Sequence, residues 1–204
     1  MTGPATTAAR ATRRRHAPPS PWGMFFRGFL KHPVMVGAIV PSSDRLIRRM
    51  LEPIDWANAK LIVEYGPGVG TFCGPILERL APDAQLIAID TNEDFVAYLR
   101  DHYRDSRFSA IHGSAADVAE IVAAHGHAQV DYVLSGLPFS TLPAGVGNAI
   151  VGATRDVLKT GGAFLVYQYN PNVRNFLTPH FADIDHVVEW WNLPPAQLWW
   201  AWKE

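Results

Sequence analysis

An apolar run that leads into three alternating glycines constrains the fold of this chain more than any other stretch. Residues 61–63 are Leu-Ile-Val, which is typical of a strand buried on both faces of a parallel sheet. Gly66, Gly68 and Gly70 follow, and they allow a sharp turn that a ligand can approach closely. A helix is predicted to begin near Pro75. Strand, glycine turn and helix together are typical of the first half of a nucleotide-binding α/β fold.

The spacing of these glycines indicates which nucleotide is bound. Dinucleotide-binding turns carry G-x-G-x-x-G, whereas this chain has Glu64 and then a glycine at every second position from 66 to 70. A second strand is predicted over residues 85–90. It ends in Asp90, about twenty residues past the last glycine, where a ribose needs a hydrogen-bond acceptor. The combination resembles the first motif of the class I S-adenosylmethionine-dependent methyltransferases.

This resemblance implies an α/β, Rossmann-like fold with a mostly parallel seven-stranded sheet, an antiparallel last strand and an N-terminal helical extension. It also implies S-adenosyl-L-methionine as the cofactor. One departure is Gly113-Ser114-Ala115, where the superfamily often has Gly-Asp-Ala with the acid on the adenine amino group. Ser114 would accept that hydrogen bond more weakly. The expected cofactor-binding residues are Glu64, Gly66, Pro67, Gly68, Gly70, Asp90, Thr91, Ser114, Ala115, Ser135 and Gly136.

Composition fits a single α/β domain with a basic arm. The chain has 204 residues and one cysteine, Cys73, which excludes an internal disulfide and is expected to be a small packed residue. The chain has no run of eighteen apolar residues, so the sequence predicts no membrane span. Residues 1–43 contain basic residues and no acid, while the remainder is acidic. Such an arm is expected to contact something anionic, either nucleic acid or an anionic bilayer surface.

The N-terminal region divides into two parts. Residues 1–20 lack apolar periodicity and are predicted to be disordered, with an organelle transit peptide as a minor alternative. Residues 21–31 have the pattern of an amphipathic helix with an aromatic face. That helix could cap the core, or it could lie in a bilayer interface with residues 10–31 attracted to anionic lipid. The face consists of Trp22, Phe25, Phe26, Phe29 and Leu30.

The rest of the chain alternates between predicted helices and strands, which indicates a parallel sheet with right-handed crossovers. We expect three regions: an arm over 1–20, helices over 21–52 that cover the substrate, and a methyltransferase domain over 53–204. Helices are predicted over residues 92–102, 116–124, 144–158 and 173–180, besides one that ends near Leu51, and strands over 108–112, 130–135, 162–168, 183–191 and 197–203.

The turn after the fourth predicted strand indicates the methyl acceptor. Its sequence, Ser135-Gly136-Leu137-Pro138-Phe139, resembles the Asn-Leu-Pro-aromatic signature of amine-directed N-methyltransferases. Carbonyls of a rigid Leu-Pro turn can orient an amine lone pair toward the methyl group, and Phe139 could stabilise the growing positive charge. The alternative is a strand-ending turn with a packed phenylalanine. Nucleobase methylases have Asn or Asp where this chain has Ser135, which favours an aliphatic amine.

Five blocks together resemble the bacterial phospholipid N-methyltransferases, which convert phosphatidylethanolamine stepwise to phosphatidylcholine. The resemblance extends over about residues 22–203. It implies a cytoplasmic enzyme, peripheral on the inner face of the membrane, with Ser42 and Ser43 at the cofactor entrance. The blocks are residues 25–30, 37–43, 135–138, 168–169 and 192–196.

Individual roles follow as hypotheses. Tyr169 could hydrogen-bond the amine or relay its proton, although structural packing explains it equally well. Arg174 is the first candidate for binding the phosphodiester, followed by His180 or one of Arg45, Arg48 and Arg49. The histidines have no metal-ligand spacing, and a monomer without nucleic acid or metal is expected. The candidate catalytic residues are Tyr169, Leu137 and Phe139, and the candidate substrate-binding residues are Pro138, Gln168, Arg174 and His180.

Three alternatives remain open at this point. The chain could methylate RNA or DNA adenine, with its basic arm on phosphates. It could methylate a soluble amine or another aminolipid, such as an ornithine lipid. It could also be a regulator that binds S-adenosylmethionine without transferring its methyl group. The acidic body and Ser135 argue against nucleic acid, and the intact Leu137-Pro138-Phe139 turn argues against a regulator.

Overall fold

A computed structural model describes residues 44–192 and 194–204. The arm over 1–20, the amphipathic helix over 21–31, and Ser42 and Ser43 lie outside the described residues. The helices are α1 (Asp44–Leu51), α2 (Cys73–Arg79), α3 (Glu93–His102), α4 (Val118–Ala124), α5 (Val146–Val157) and α6 (Arg174–Leu177). The strands are β1 (Leu61–Tyr65), β2 (Gln85–Asp90), β3 (Phe108–His112), β4 (Val130–Ser135), β5 (Leu158–Gln168), β6 (Asp183–Glu189) and β7 (Ala196–Trp202).

All of these strands form one sheet with the order β3-β2-β1-β4-β5-β7-β6. Pairs among the first five strands are parallel, and β7 is antiparallel to both of its neighbours, β5 and β6. The predicted fold class is therefore confirmed, including the antiparallel last strand. That strand lies one position in from the edge, so β6 forms the edge itself.

The central strand β1 separates two hydrophobic cores. It is buried along its whole length, as expected for a parallel strand covered on both faces. Because successive side chains point to opposite faces, Ile62 belongs to one core, while Leu61 and Val63 belong to the other. Helices α1, α2 and α3 cover the first core, and α4, α5 and α6 cover the second. In addition, Trp200 Nε1 donates to Met50 O at 3.1 Å and ties α1 to the sheet.

The carboxyl ends of the strands bring the predicted site residues to one edge. Strands β1, β2, β4 and β5 run in the same direction and end at Tyr65, Asp90, Ser135 and Gln168. Because β7 is antiparallel to both β5 and β6, β6 also runs in this direction. The last residue of β6, Glu189, therefore lies at the same edge, which is where α/β folds bind their ligands.

Most element boundaries agree with the predictions, and β5 differs most. It begins at Leu158 rather than at residue 162, and its register with β4 shifts between Val130 and Tyr132. Gly161, with φ of 80°, lies within this irregularity. Helix α5 is shorter than predicted and begins after Gly145, whose φ of 83° is left-handed. The predicted helix over 173–180 contains only α6, preceded by a 3₁₀ turn at Pro171–Val173.

Candidate active site

The glycine turn after β1 requires glycine for both conformation and space. Gly66, Gly68 and Gly70 have φ values of 63°, 56° and 81°, in the left-handed region that side chains rarely adopt. A Cβ added at Gly66 would lie 2.9 Å from Leu137 Cδ2. One at Gly70 would lie 2.9 Å from Tyr103 Cε2. The glycine turn is thus in direct contact with residues 135–139, the predicted acceptor turn.

Asp90 ends β2 with its carboxylate next to the glycine turn. Its Oδ1 accepts the Asn92 N–H at 2.8 Å, and its Oδ2 accepts the Gly68 N–H at 3.2 Å. Burial raises the pKa of Asp90, and the two backbone hydrogen bonds offset only part of that rise. The next residue, Thr91, is exposed, and its carbonyl lies 3.1 Å from His112 Nε2. The structure therefore places the predicted ribose acceptor beside the glycine turn.

Glu64 is a second buried carboxyl group in this region, with 3% of its surface exposed. Burial, together with a smaller effect of the charge of Asp90, raises its pKa to about 7 against a hydrogen bond from Cys73 that lowers it. The Cys73 thiol donates to Glu64 Oε2 at 3.1 Å and is fully buried. As expected, this cysteine is a packed residue. A carboxyl group with such a pKa changes its charge near neutral pH.

The acceptor turn is held by hydrogen bonds on both sides. Ser135 is fully buried, and its Oγ accepts the Leu137 N–H at 3.2 Å. The Gly136 N–H donates to Tyr65 O at 3.2 Å. From β5, the buried side chain of Gln168 donates through Nε2 to Leu137 O. The structure thus brings Ser135, Gly136, Leu137 and Gln168 together, with Gln168 holding the turn in place.

The two carbonyls of the Leu-Pro turn already accept two hydrogen bonds each. Leu137 O accepts from Gln168 Nε2 and from the Phe139 N–H at 2.9 Å. Pro138 O accepts from the Thr141 N–H at 2.9 Å and from Thr141 Oγ1 at 3.0 Å. A carbonyl oxygen has two lone pairs, so an amine would have to compete for either of them. The role predicted for Leu137 stays a prediction, and its carbonyl has a structural function in this turn.

Tyr167 is a residue that the sequence analysis missed. Its hydroxyl would lie 2.5 Å from a Cβ added at Gly136, so it lies directly over the acceptor turn. Its ring packs against Phe72, with 4.9 Å between the ring centroids. Burial, and next the charge of Glu64, raise the pKa of its phenol. Because alternate residues of a strand share a face, the choice of Tyr169 could also have indicated Tyr167.

The other predicted acceptor-site residues have different surroundings. Tyr169 is half-buried, and burial raises the pKa of its phenol against a hydrogen bond with Asn192. The Phe139 ring is buried and packs against Phe176 at 5.5 Å between centroids, which is the geometry of a packed side chain. Arg174 is exposed at the start of α6. His180 lies against Gly152, in the middle of α5.

The predicted adenine-site residues follow β3. Ser114 Oγ accepts the Ala116 N–H at 3.1 Å and caps a 3₁₀ turn over Ala115–Asp117. This hydrogen bond uses part of the accepting capacity that an adenine amino group would need. Ala115 is buried in the second core. The weaker cofactor contact expected of Ser114 is consistent with this arrangement and stays a prediction.

Two of the candidate phosphate-binding arginines form a cluster with Glu189. The Glu189 carboxylate is buried, and it lies 3.2 Å from Arg45 Nε and 3.3 Å from Arg49 Nη1. Its Oε1 also accepts the Trp191 N–H at 3.1 Å. Burial alone would raise the pKa of Glu189, but these donors together lower it below its usual value. Arg45 and Arg49 are therefore partly neutralised, whereas Arg48 is exposed.

Within residues 44–192 and 194–204, no helix has the length and apolar character needed to cross a bilayer. The same part of the chain contains no group of three or more His, Cys, Asp or Glu side chains arranged to hold a metal ion.

The residues at this edge fit S-adenosylmethionine. The glycine turn exposes backbone without side chains, and the carboxylate of Asp90 stands beside it, as a ribose requires. The contact between Gly66 and Leu137 joins this cradle to the acceptor turn, so that a methyl donor and an amine would meet there.

Comparisons with known proteins identify the class of enzyme. A family model described as a methyltransferase domain matches residues 62–162. The chain is 31% identical over 175 residues to the ornithine lipid N-methyltransferase of Singulisphaera acidiphila, covering 85% of this chain and 91% of that protein.

Two solved structures share the fold. The precorrin-6y C5,15-methyltransferase of Geobacter metallireducens GS-15 has a TM-score of 0.64 at 14% identity, covering 82% of this chain and 92% of that one. The N-methyltransferase NodS of Bradyrhizobium japonicum WM9, in complex with S-adenosyl-L-homocysteine, has a TM-score of 0.60 at 16% identity, covering 78% of this chain and 85% of that one.

These findings confirm three predictions: the class I methyltransferase fold, S-adenosylmethionine as the cofactor, and transfer of a methyl group to nitrogen. The alignment with the relative from Singulisphaera acidiphila, which extends over most of both chains, also identifies the family within this class. The chain belongs to the S-adenosylmethionine-dependent N-methyltransferases of class I and, within them, to the family of the ornithine lipid N-methyltransferase.

Proposed function

We propose that this enzyme methylates the aliphatic amine of a membrane aminolipid, with phosphatidylethanolamine and its methylated derivatives as the first candidates. The observation that carries the proposal is the contact between the glycine turn and an acceptor turn that lacks a side-chain amide. Ser135 is fully buried, and its hydroxyl accepts the Leu137 N–H. The residues of the turn therefore offer a planar nucleobase amine no carboxamide of their own, and the amide nitrogen of the neighbouring Gln168 is bound to Leu137 O. An aliphatic amine needs no such group.

Ornithine lipid is a second candidate head group. The relative from Singulisphaera acidiphila, whose name specifies this lipid, aligns with 85% of the present chain. Ornithine and ethanolamine both present a primary amine on a short aliphatic chain, so the same acceptor turn suits either. Both lipids carry an anionic group near the amine, for which the exposed guanidinium of Arg174 is a partner.

In the proposed reaction, the sulfonium of bound S-adenosylmethionine supplies an electrophilic methyl group. The amine nitrogen forms a bond to the methyl carbon as the carbon–sulfur bond breaks, and the product ammonium then carries the positive charge. The hydroxyl of Tyr167, which lies next to Gly136, orients the nitrogen lone pair. Glu64, Asp90 and the glycine turn hold the donor at the carboxyl edge.

The amine must lose a proton before it can react. The pKa values of Tyr167 and Tyr169 are both raised, chiefly by burial, so both phenols stay protonated at neutral pH. They can therefore hydrogen-bond the amine but cannot serve as anionic bases. We infer that the free amine binds and that its proton reaches solvent through water. Activity should then rise with pH until most of the amine is unprotonated.

The test uses the full chain with a radiolabelled methyl donor and four acceptors in parallel. These are anionic vesicles containing phosphatidylethanolamine, the same vesicles with ornithine lipid instead, ribosomal RNA, and free ethanolamine. We expect label in at least one of the two lipids and little in the other acceptors. Label in RNA alone, or in free ethanolamine at the same efficiency as in vesicles, would refute the proposal.

The location of the enzyme follows from this proposal. An enzyme that takes its acceptor from a leaflet works as a peripheral protein, on the inner face of the membrane if its donor is cytoplasmic. The basic arm over residues 10–31 is the segment for which the sequence predicts attraction to anionic lipid. Removal of residues 1–31 should weaken vesicle binding and leave the affinity for S-adenosylmethionine unchanged, which equilibrium binding measures.

A further inference from the structure

Two adjacent tryptophans stand out on the surface of the described chain. Trp190 and Trp191 are 73% and 77% exposed, and they occupy the turn between β6 and β7. By contrast, Trp199 and Trp200 on the following strand are buried. Single exposed apolar residues are common, but two of the largest side chains exposed side by side mark a contact surface.

The backbone of the tryptophan turn, residues 190–191, is bound to Glu189 and through it to α1. The Trp191 N–H donates to the buried carboxylate of Glu189 at 3.1 Å. The same carboxylate forms ion pairs with Arg45 and Arg49, so Glu189 connects the turn to α1. This arrangement fixes the backbone of the turn while both indoles remain in solvent.

The tryptophan turn also lies beside the acceptor site. It follows β6 at the carboxyl edge of the sheet, where Glu189 is paired with Ala196 and the neighbouring Gln197 is paired with Gln168. The buried side chain of Asn192 hydrogen-bonds Tyr169 and donates to Pro194 O at 2.9 Å. Contacts thus connect the turn to the strand end that holds Leu137 in place.

The chemistry of this surface fits a lipid bilayer. Indole rings combine a large apolar body with one polar N–H, and tryptophan accordingly concentrates at membrane–water interfaces. Arg48 is exposed on α1, the helix that is tied to the turn through Glu189, and a guanidinium group at such a surface attracts anionic lipid. A soluble partner would not require these groups to stand at the entrance of a lipid-modifying site.

Resting on the proposed function, we propose that the tryptophan turn inserts into the head-group layer of an anionic bilayer and holds the acceptor turn against the leaflet. Trp190 and Trp191 provide the apolar contact, and the exposed Arg48 of α1 contacts the lipid head groups. The lipid amine then enters sideways between the tryptophan turn and the acceptor turn, without leaving the bilayer. Neither tryptophan takes part in the chemical step.

The experiment compares the full-length enzyme with a Trp190→Ala/Trp191→Ala variant. Binding is measured by flotation with vesicles of phosphatidylglycerol and phosphatidylethanolamine. Methyl transfer is measured on those vesicles and on short-chain phosphatidylethanolamine kept below its micelle concentration. We expect vesicle binding to weaken about tenfold or more. Transfer to vesicles should fall in parallel, while transfer to the dispersed lipid should stay unchanged.

Two control variants separate this surface from general damage. Trp190→Phe/Trp191→Phe should retain most of the vesicle binding, because phenylalanine keeps much of the apolar area. Trp56→Ala removes a half-exposed tryptophan from the loop before β1, away from the carboxyl edge, and should leave vesicle binding unchanged. Thermal melting without lipid and gel filtration accompany every variant.

Several outcomes would overturn the proposal. Unchanged vesicle binding in the double alanine variant would do so directly. A large fall in melting temperature without lipid would show that another part of the chain, such as residues 21–31, covers the indoles. A shift from dimer to monomer would show that a second copy covers them. If the wild-type enzyme labels RNA and no lipid, the proposed function fails, while the flotation result still decides whether the tryptophan turn binds membranes.

Discussion

Replacing Gly136 with alanine tests the packing of the acceptor turn most directly. The new Cβ would lie 2.5 Å from Tyr167 Oη, 2.8 Å from Cζ and 3.0 Å from Cε1. The movement of the ring is restricted because it also packs against Phe72, with 4.9 Å between the ring centroids. Overpacking of this kind costs about 1–3 kcal/mol of unfolding free energy. Displacement of the turn by a fraction of an ångström should also lower kcat by about tenfold or more.

A double-mutant cycle with Tyr167→Phe gives the sharper measurement. Loss of the hydroxyl removes the 2.5 Å contact between the new Cβ and Oη but leaves the contact with Cζ at 2.8 Å. The overpacking should therefore be relieved only in part. We expect Gly136→Ala to be about 1 kcal/mol less destabilising in the Tyr167→Phe background, as measured by urea unfolding.

Gly126→Ala is the matched control for this cycle. Gly126 has a φ of 83° and no heavy atom within 4 Å of an added Cβ, so alanine there costs stability without touching the site. The Gly126→Ala variant should lose about 1–2 kcal/mol of unfolding free energy, and its turnover should be normal. Wild-type stability and turnover in Gly136→Ala would contradict the reasoning. A cycle without coupling would show that the hydroxyl is not the group that resists the new methyl.

Three further predictions concern the buried carboxyl groups. The folded-state pKa of Glu64 is raised to about 7, so the folded enzyme binds more protons than the unfolded chain between its ordinary pKa of 4.5 and that value. Stability should therefore fall by about 3 kcal/mol as pH rises through this window. Glu64→Gln should flatten that part of the stability–pH curve measured by urea unfolding, and an unchanged slope would contradict the assignment. Asp90→Ala removes the acceptor of the Gly68 and Asn92 N–H groups, and calorimetry should show S-adenosylmethionine binding about tenfold to a hundredfold weaker; equal affinity would mean that the ribose binds elsewhere. Glu189→Gln removes the charge that holds Arg45 and Arg49, so it should cost about 1–3 kcal/mol in unfolding free energy at neutral pH. Because the pKa of Glu189 is lowered in the folded state, the wild-type enzyme should lose this advantage as pH falls through that pKa, and a variant as stable as the wild type at neutral pH would contradict the cluster.

The fold was predictable from sequence because its signals are local. The central strand β1 begins with a short apolar run and is buried throughout, and the glycines of the first turn lie in positive φ as their spacing suggests. Asn92, for example, caps α3 through hydrogen bonds to the next turn, which is a preference of the residue itself. The start of β5 was missed because its first residues pair with β4 across an irregular register, and no local pattern encodes that.

The site was only partly predictable, because some of its residues are defined by contacts between distant strands. Glu64 and Asp90 could be identified from their spacing to the glycines. Tyr167 lies 31 residues after Gly136, and its position over that glycine depends on the register of β4 with β5. Likewise, Glu189 pairs with arginines more than 130 residues away, and nothing near it in sequence indicates a buried carboxylate.

That cluster also changes which arginines can bind the anionic group of a lipid. By sequence alone, Arg45, Arg48 and Arg49 are equivalent candidates. Glu189 now holds the first and the third, and it does so from a buried position, where giving up its partners would leave a charge without compensation. Arg48 and Arg174 are exposed, and among the described contacts neither is paired with a buried carboxylate. A guanidinium binds phosphate and carboxylate with the same pair of parallel hydrogen bonds. The arginines therefore suit either head group, and the choice between phosphatidylethanolamine and ornithine lipid depends on the distance between the anionic group and the amine.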